Sequence, residues 1–269
     1  MKFFDAHNHI YDKRLEPFLP QIIPQIPLLP ISAMVVNSAR ENHFEIVGSL
    51  SIQYKWMIPS FGIHPWYAEK TSHRYLDTLH SALNKFGGCI GEIGLDTYIK
   101  NHNIEKQLQL FIAQLKIAAE LNIPASIHCV KAWDLLLEVL QSNPLPQCGI
   151  LIHSYGGLEK YIQPLAKLGA YFSFPGYFAR ENKLPQRESF KSIPLERILV
   201  ETDAPDQLPP DFLITHKISD NSAKPINSPL NLPRIYHYLA QFFNINSTEF
   251  TSIIENNFLR LFGRFIRTI

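Results

Sequence analysis

Eight short apolar or β-branched runs punctuate this chain, and what lies between them constrains the fold more than any other feature. They read KFFDAH, SAMVVNS, MIPSFGI, GCIGEIG, IPASIHC, GILIHS, GAYFSF and RILVET. Helical patterns separate most of them. From Asn103 to Leu121, the residues Leu108, Phe111, Ile112, Leu115, Ala118 and Ala119 recur at steps of three and four, marking one buried face. Asn103 can cap the start, and Pro124 stops the helix soon after its end. Tyr75, Leu76, Leu79 and Leu83 mark Ser72 to Phe86 in the same way, as do Tyr238, Leu239 and Phe242 within Ile235 to Phe243. Strands recurring about every 30 residues with helices between them imply parallel βαβ units. Eight such units predict a closed (β/α)8 barrel, with residues 1–269 forming one domain. An open doubly wound sheet is the alternative.

Composition narrows the partners. With 46% hydrophobic and 18% charged residues the chain has ample core and lies far from disordered composition. Its formal charge is +1 and its Lys and Arg are scattered, so no basic stripe captures nucleic acid at long range. Cys89, Cys129 and Cys148 show no CxxC spacing, which argues for a reducing compartment and free thiols. No apolar stretch reaches the roughly 18 residues of a membrane span, and no signal-peptide pattern opens the chain. A cytoplasmic protein is expected.

Two segments break the strand–helix alternation. EPFLPQIIPQIPLLP carries prolines from Pro17 to Pro30, which predicts an extended first connection rather than an ordinary long helix. After the last strand, APDQLPPDFLITHKISDNSAKPINSPLNLP is a polar, proline-rich loop of the length that often carries function.

Candidate metal ligands sit where the strands end. Residues two apart on a strand face one side, so His7 and His9 can address one ion, with Asp5 on the same parity. That pair alone is a weak signal. Its weight comes from company: His64 ends the third run, Glu92 lies in the fourth, His128 ends the fifth, His153 the sixth, and Asp203 follows the eighth. In a barrel these strand ends converge on one mouth. A carboxylate in a core strand is costly unless paired or bound to a cation, which singles out Glu92 and Asp203. Trp66, after GIHP, would lie at that mouth and could stack on a base. His43, His73, His80, His102, His216 and His237 fall on helices or loops and receive no metal role. Cys129 adjoins His128, and strand alternation turns it away from the mouth. No GxSxG elbow, P-loop or GxGxxG motif is present.

In order, FDAHNHIYD, GIHPW, IGEIGLD, IPASIHC, LIHSYGG, YFSFPG, LVETDAP and NNFLRLFG closely resemble the TatD family of metal-dependent hydrolases and deoxyribonucleases, from Phe3 to Gly263. The resemblance implies a TIM-type barrel of the amidohydrolase superfamily and hydrolysis of DNA phosphodiesters at a two-metal site. Carried over, it implies that His7, His9, Glu92 and Asp203 hold one divalent ion and that Glu92, His128 and His153 hold the second. Imidazole with carboxylate suits Zn, Mn, Co or Ni, and Mg suits the carboxylates. His64 would lie beside the metals and touch substrate. This chain departs from the family in having Val130, with Lys131 beside it, where members often carry Arg. It also has Ser228 where members carry an acid, with Lys224 the near cation.

The leading expectation is therefore a two-metal nuclease. Asp203 would accept the proton from water, and His64 or Lys131 would steady phosphate oxygens. A mouth without a basic approach favours exonuclease action on single-stranded or end-frayed DNA. Two alternatives stand beside it. One is an amidase, lactonase or esterase acting on a small molecule; the other is a non-catalytic scaffold that docks a protein partner through Pro17 to Pro30.

Overall fold

The computed structural model describes residues 1–100 and 102–267. All eight runs are strands: β1 (Phe3–Asn8), β2 (Ile31–Asn37), β3 (Met57–Phe61), β4 (Cys89–Asp96), β5 (Ala125–Val130), β6 (Ile150–Ile152), β7 (Ala170–Pro175) and β8 (Ile198–Glu201). They pair in parallel and in chain order from β1 to β8. An open doubly wound sheet would reverse its strand order at a switch point, and this one does not. The sheet instead curls into a (β/α)8 TIM barrel wrapped by α1 (Leu19–Gln25), α2 (Phe44–Gln53), α3 (Tyr75–Phe86), α4 (Ile104–Leu121), α5 (Trp133–Ser142), α6 (Ile162–Lys167), α7 (Leu184–Ser189), α8 (Leu232–Phe242) and α9 (Ser247–Phe262). The strands are buried almost throughout, as both faces of a parallel sheet require.

The seam between β8 and β1 is closed in two ways. Near the C-terminal rim backbone meets backbone: Asp203 N donates to His7 O at 2.9 Å and His9 N to Ala204 O at 2.8 Å. Lower down, side chains take over. Asp5 accepts from Thr202 N at 2.9 Å and Thr202 Oγ1 at 2.5 Å. The Tyr236 hydroxyl of α8 donates to Phe4 O at 2.8 Å and accepts from Phe4 N at 3.0 Å. Asn257 of α9 donates to Ile198 O at 2.8 Å. Asp5, expected near the metal ligands, is a seam residue instead.

Local capping follows the sequence closely. Asn103 Oδ1 accepts from Lys106 N at 3.1 Å to open α4, and Asn122, at φ +47°, closes it. Helix α3 starts at Tyr75, later than the expected Ser72, while α8 starts at Leu232, earlier than the expected Ile235, because Pro233 fits the first turn. The proline-rich connection corrects an expectation: it is not extended but forms a 3-10 turn (Glu16–Phe18) and α1. Pro20 stands in the first turn, where its missing N–H costs nothing, and Pro24 removes only the bond to that turn. Ile22 and Ile26, four apart, are buried at 2% and 0% exposure, so apolar burial overrides the extended preference. No extended polyproline run is offered to a partner there.

The long segment after β8 is ordered by its own contacts. It carries a small antiparallel hairpin, β9 (Ile218–Ser219) with β10 (Pro225–Ile226), and Asn227 Nδ2 returns to donate to Thr202 O at 2.7 Å. The three cysteines are free, Cys89 and Cys129 being buried and Cys148 half-buried. Among the described residues, no helix is long and apolar enough to cross a membrane.

Candidate metal centre at the barrel mouth

The strand ends bring His9, Glu92, His128, His153 and Asp203 to the lining of one cavity of about 640 Å³, with His7 wholly buried against them. His7 lies in β1 and His9 just past it; Glu92 is in β4, His128 in β5, His153 just past β6, and Asp203, at φ +52°, just past β8. Glycine makes room for this. Gly91 adopts φ +153°, and a Cβ there would come within 2.6 Å of Asn37 Oδ1. A Cβ on Gly94, at φ +140°, would fall 2.0 Å from His128 O. The glycines of GCIGEIG thus let the strand carrying Glu92 press against the strand carrying His128.

Glu92 divides its two oxygens between two groups of nitrogen. Its Oε2 lies 3.5 Å from His7 Nε2 and 3.3 Å from His9 Nε2, and the same two nitrogens stand 3.7 and 3.6 Å from Asp203 Oδ1. Its Oε1 lies 3.0 Å from His128 Nδ1, 2.8 Å from His153 Nε2 and 3.2 Å from His64 Nε2.

The far sides of the rings fix which nitrogens face inward with lone pairs. His9 Nδ1 donates to Asn37 O at 2.6 Å, leaving a lone pair on Nε2. His7 Nδ1 pairs with Ser126 Oγ at 2.9 Å. His7 Nε2 and His9 Nε2 are only 3.3 Å apart. Lone pairs crowded against carboxylate oxygens repel unless a proton or cation lies between them, so the donor set fits a divalent ion. His64 differs. Its Nδ1 accepts from Trp66 N at 3.1 Å, which places its proton on Nε2, 3.2 Å from Glu92 Oε1, although His64, Glu92 and His128 also lie close enough together to hold an ion.

The electrostatics agree. Burial opposes a charged Glu92, yet His64, His153 and hydrogen bonds from His128 and His153 hold it well below the usual range. Burial also opposes a charged His9, but Glu92 and Asp203 push it up to about 9. Burial raises Asp203 to about 7 and, with His128 adding to it, lowers His64 to about 4. Charge is thus divided within the cluster, His9 being held protonated beside Glu92 and Asp203 while His64 is held neutral.

Four residues that the sequence reading did not single out complete the site. Asp96 Oδ2 accepts from Trp66 Nε1 at 2.6 Å and lies 3.2 Å from His128 Nε2. Glu201, wholly buried, accepts from Ser154 and Ser173 and places Oε1 3.7 Å from His153 Nδ1, which has no hydrogen-bond partner. Gln207 Nε2 donates to Asp203 Oδ2 at 2.8 Å and also to Ser154 Oγ. Arg14 bonds both Asp12, at 2.9 Å, and Asp206, at 2.7 Å, clasping the first connection to the last loop and spending its charge there. The core-carboxylate argument used for Glu92 would also have found Glu201; nothing local marks Gln207.

The candidate substrate contacts also line the cavity. Trp66 is 58% exposed, and Lys131 places Nζ 4.4 Å over the Tyr98 ring. Lys183, its Nζ 5.0 Å over Tyr177, is a further cation of the lining. Lys224 and Ser228 do not line it: Lys224 is held in a turn by Asp220, and Ser228 caps a 3-10 turn (Pro229–Asn231) through Leu230 N. Cys129 is buried away from the cavity, as alternation predicted.

A parallel barrel that gathers histidines and carboxylates at its C-terminal mouth is built as a metal-dependent hydrolase is. Comparison with known proteins gives the family. The model of the family described as TatD related DNase matches residues 4–263. The 3'-5' ssDNA/RNA exonuclease TatD of Escherichia coli K12 is 28% identical over 241 residues, covering 87% of this chain and 88% of that one. The metal-dependent hydrolase YjjV of the same organism is 25% identical over 265 residues, covering 97% and 98%. Among solved structures, the YjjV crystal structure superposes with a TM-score of 0.87 at 24% identity over 97% of this chain and 98% of that one. A TatD family hydrolase from Entamoeba histolytica gives 0.81 at 19% identity over 97% and 98%. The chain belongs to the TatD family of metal-dependent hydrolases.

Proposed function

We propose that this protein is a two-metal phosphodiesterase that trims single-stranded nucleic acid, DNA foremost, from a chain end. The observation that carries the reading is the division of Glu92, one oxygen toward His7 and His9 and the other toward His128 and His153. A carboxylate bridging two cations would need such a division. His7, His9, Glu92 and Asp203 would hold one cation, and Glu92, His128 and His153 the other. When bound, such a pair polarises a phosphoryl oxygen and makes water nucleophilic near neutral pH. The residues of the chain do the rest. Asp203 accepts the proton from water, its second oxygen fixed by Gln207. His64 donates from Nε2 to a phosphate oxygen, and Lys131 supplies charge beside it. Trp66 offers a ring for the terminal base, a contact type worth about 1–3 kcal/mol.

Action at a chain end is supported by the cavity, whose 640 Å³ is that of a small-molecule pocket rather than a groove tracking a strand. The names of the TatD relatives point the same way. The test is degradation of 5′-labelled and 3′-labelled single-stranded DNA and RNA by metal-stripped protein supplied with Mg, Mn or Zn, against Glu92→Gln. Metal-dependent shortening lost in the variant is expected, and the label that survives gives the polarity; dominant internal cuts in closed circular DNA would overturn the chain-end reading. A second reading, a hydrolase of small esters, lactones or amides at the same metals, is favoured by the neutralised Arg14. Turnover of those compounds with none of oligonucleotides would establish it.

A further inference from the structure

One wall of the cavity is made by Tyr11 and His43, with Arg40 behind them. Arg40, an exposed side chain, places its guanidinium 5.1 Å over the Tyr67 ring, and its Nε donates to His43 Nε2 at 2.9 Å. A guanidinium only donates, so His43 Nε2 must present a lone pair. The ring proton of His43 then sits on Nδ1. That nitrogen lies 2.9 Å from Tyr11 Oη, which makes the phenol oxygen the acceptor of the pair. Ala39 N also approaches Nδ1, at 3.4 Å, but donors on both ring nitrogens would require an imidazolate, and the longer, uncharged contact gives way.

The consequence falls on Tyr11. His43 is the one hydrogen-bond partner of its hydroxyl among the described residues, and that bond uses the oxygen's lone pair, not its proton. The O–H therefore remains to be donated. Tyr11 is held in place, 9% exposed, with its ring centroid 6.1 Å from that of His9, on the wall of the cavity.

We propose that Tyr11 is a substrate-binding residue whose hydroxyl donates to an anionic phosphate oxygen, and that Arg40 and His43 are positioning residues that force this polarity by fixing the His43 tautomer. The choice of phosphate as ligand rests on the nuclease reading; the tautomer does not.

The experiment uses the full-length, metal-loaded protein with inorganic phosphate as probe. Tyr11→Phe, which removes only the hydroxyl, is expected to bind phosphate about ten- to a hundredfold more weakly, the range of a hydrogen bond to a charged group. Its kcat/KM on a single-stranded oligonucleotide should fall by a similar factor, with metal content and Tm unchanged. In the ¹⁵N spectrum of the wild type, His43 should carry its proton on Nδ1, and Arg40→Met should release that preference and weaken phosphate binding in part. A His43 proton on Nε2, no phosphate binding by the wild type, or equal phosphate affinity in Tyr11→Phe would each overturn the inference. The two readings fail separately. A wild type inert on oligonucleotides but binding phosphate through Tyr11 sinks the nuclease, whereas a nuclease indifferent to Tyr11→Phe sinks this proposal alone.

Discussion

Asp203 has two carboxylate oxygens with different obligations. Oδ1 faces His7 and His9, while Oδ2 is held at 2.8 Å by Gln207, itself at φ +48° and bonded to Ser154. Ser154 in turn donates to Glu201, whose other oxygen accepts from Ser173. A candidate ligand carboxylate thus has its orientation set by a chain of neutral donors that also reaches the carboxylate beside His153. Partners of this kind are worth about 10–100-fold in metal affinity when removed. Gln207→Met keeps the bulk and removes the donor, so Zn affinity measured by chelator competition should fall by that order while the metal-free Tm stays near the wild type. Unchanged affinity would show that Oδ2 is oriented by the backbone alone. Gln207 was not legible in the sequence because its part depends on a left-handed backbone turn and on Ser154, which is 53 positions away. The gathering of His7, His9, Glu92, His128, His153 and Asp203 was legible, because they lie in or just past strands whose C-terminal ends converge on one mouth.

At the scale of elements, the eight strands and the helices α3, α4 and α8 were readable from period and caps. The seam and the first connection were not. Nothing in a hydrophobic pattern says that Tyr236, one of many buried aromatics, satisfies both backbone groups of Phe4, or that Asp5 would turn to Thr202 rather than to the candidate ligands two and four residues on. Tyr236→Phe leaves that N–H and C=O buried without partners, at about 1–3 kcal/mol for each lost bond. A loss of this order in urea unfolding, with no change in metal content, is the expected outcome; a loss under about 0.5 kcal/mol would mean that water or α8 itself replaces the hydroxyl. Asp5 gives a pH signature. Burial pushes its carboxyl up to about 8, against the lowering effect of the Thr202 bonds. The folded pKa lies above the unfolded value of about 3.9, so the stability it contributes is complete below that value and is lost as pH rises through about 8. Asp5→Asn has no proton to lose. Its Tm relative to the wild type should therefore climb between about pH 5 and about pH 8, and a constant offset across that range would show the carboxyl to be ionised throughout.

At the scale of the whole molecule, the candidate ligands draw on both sides of the seam: β1 supplies His7 with His9 just after it, and Asp203 follows β8. Glu92 and His128 from β4 and β5 and His153 after β6 complete the ring, so a bound pair of cations would tie five of the eight strands together across the seam between β8 and β1. Without cations the same residues must share protons in a buried space, which explains why His9 is pushed up while His7, buried beside His153, is pushed down to about 3. Ligands that bind only the folded state stabilise it by about 2.7 kcal/mol at a concentration of 100 Kd. For a chain of this size that is roughly 5–10 °C in Tm. Stripping the protein with a chelator should lower Tm by that amount and raise amide exchange first in β1 and β8; Zn or Mn should restore both, and Glu92→Gln should not respond. If Tm and exchange are indifferent to metal in the wild type, protons alone satisfy the cluster and the seam is held by its backbone hydrogen bonds and by Asp5 without help.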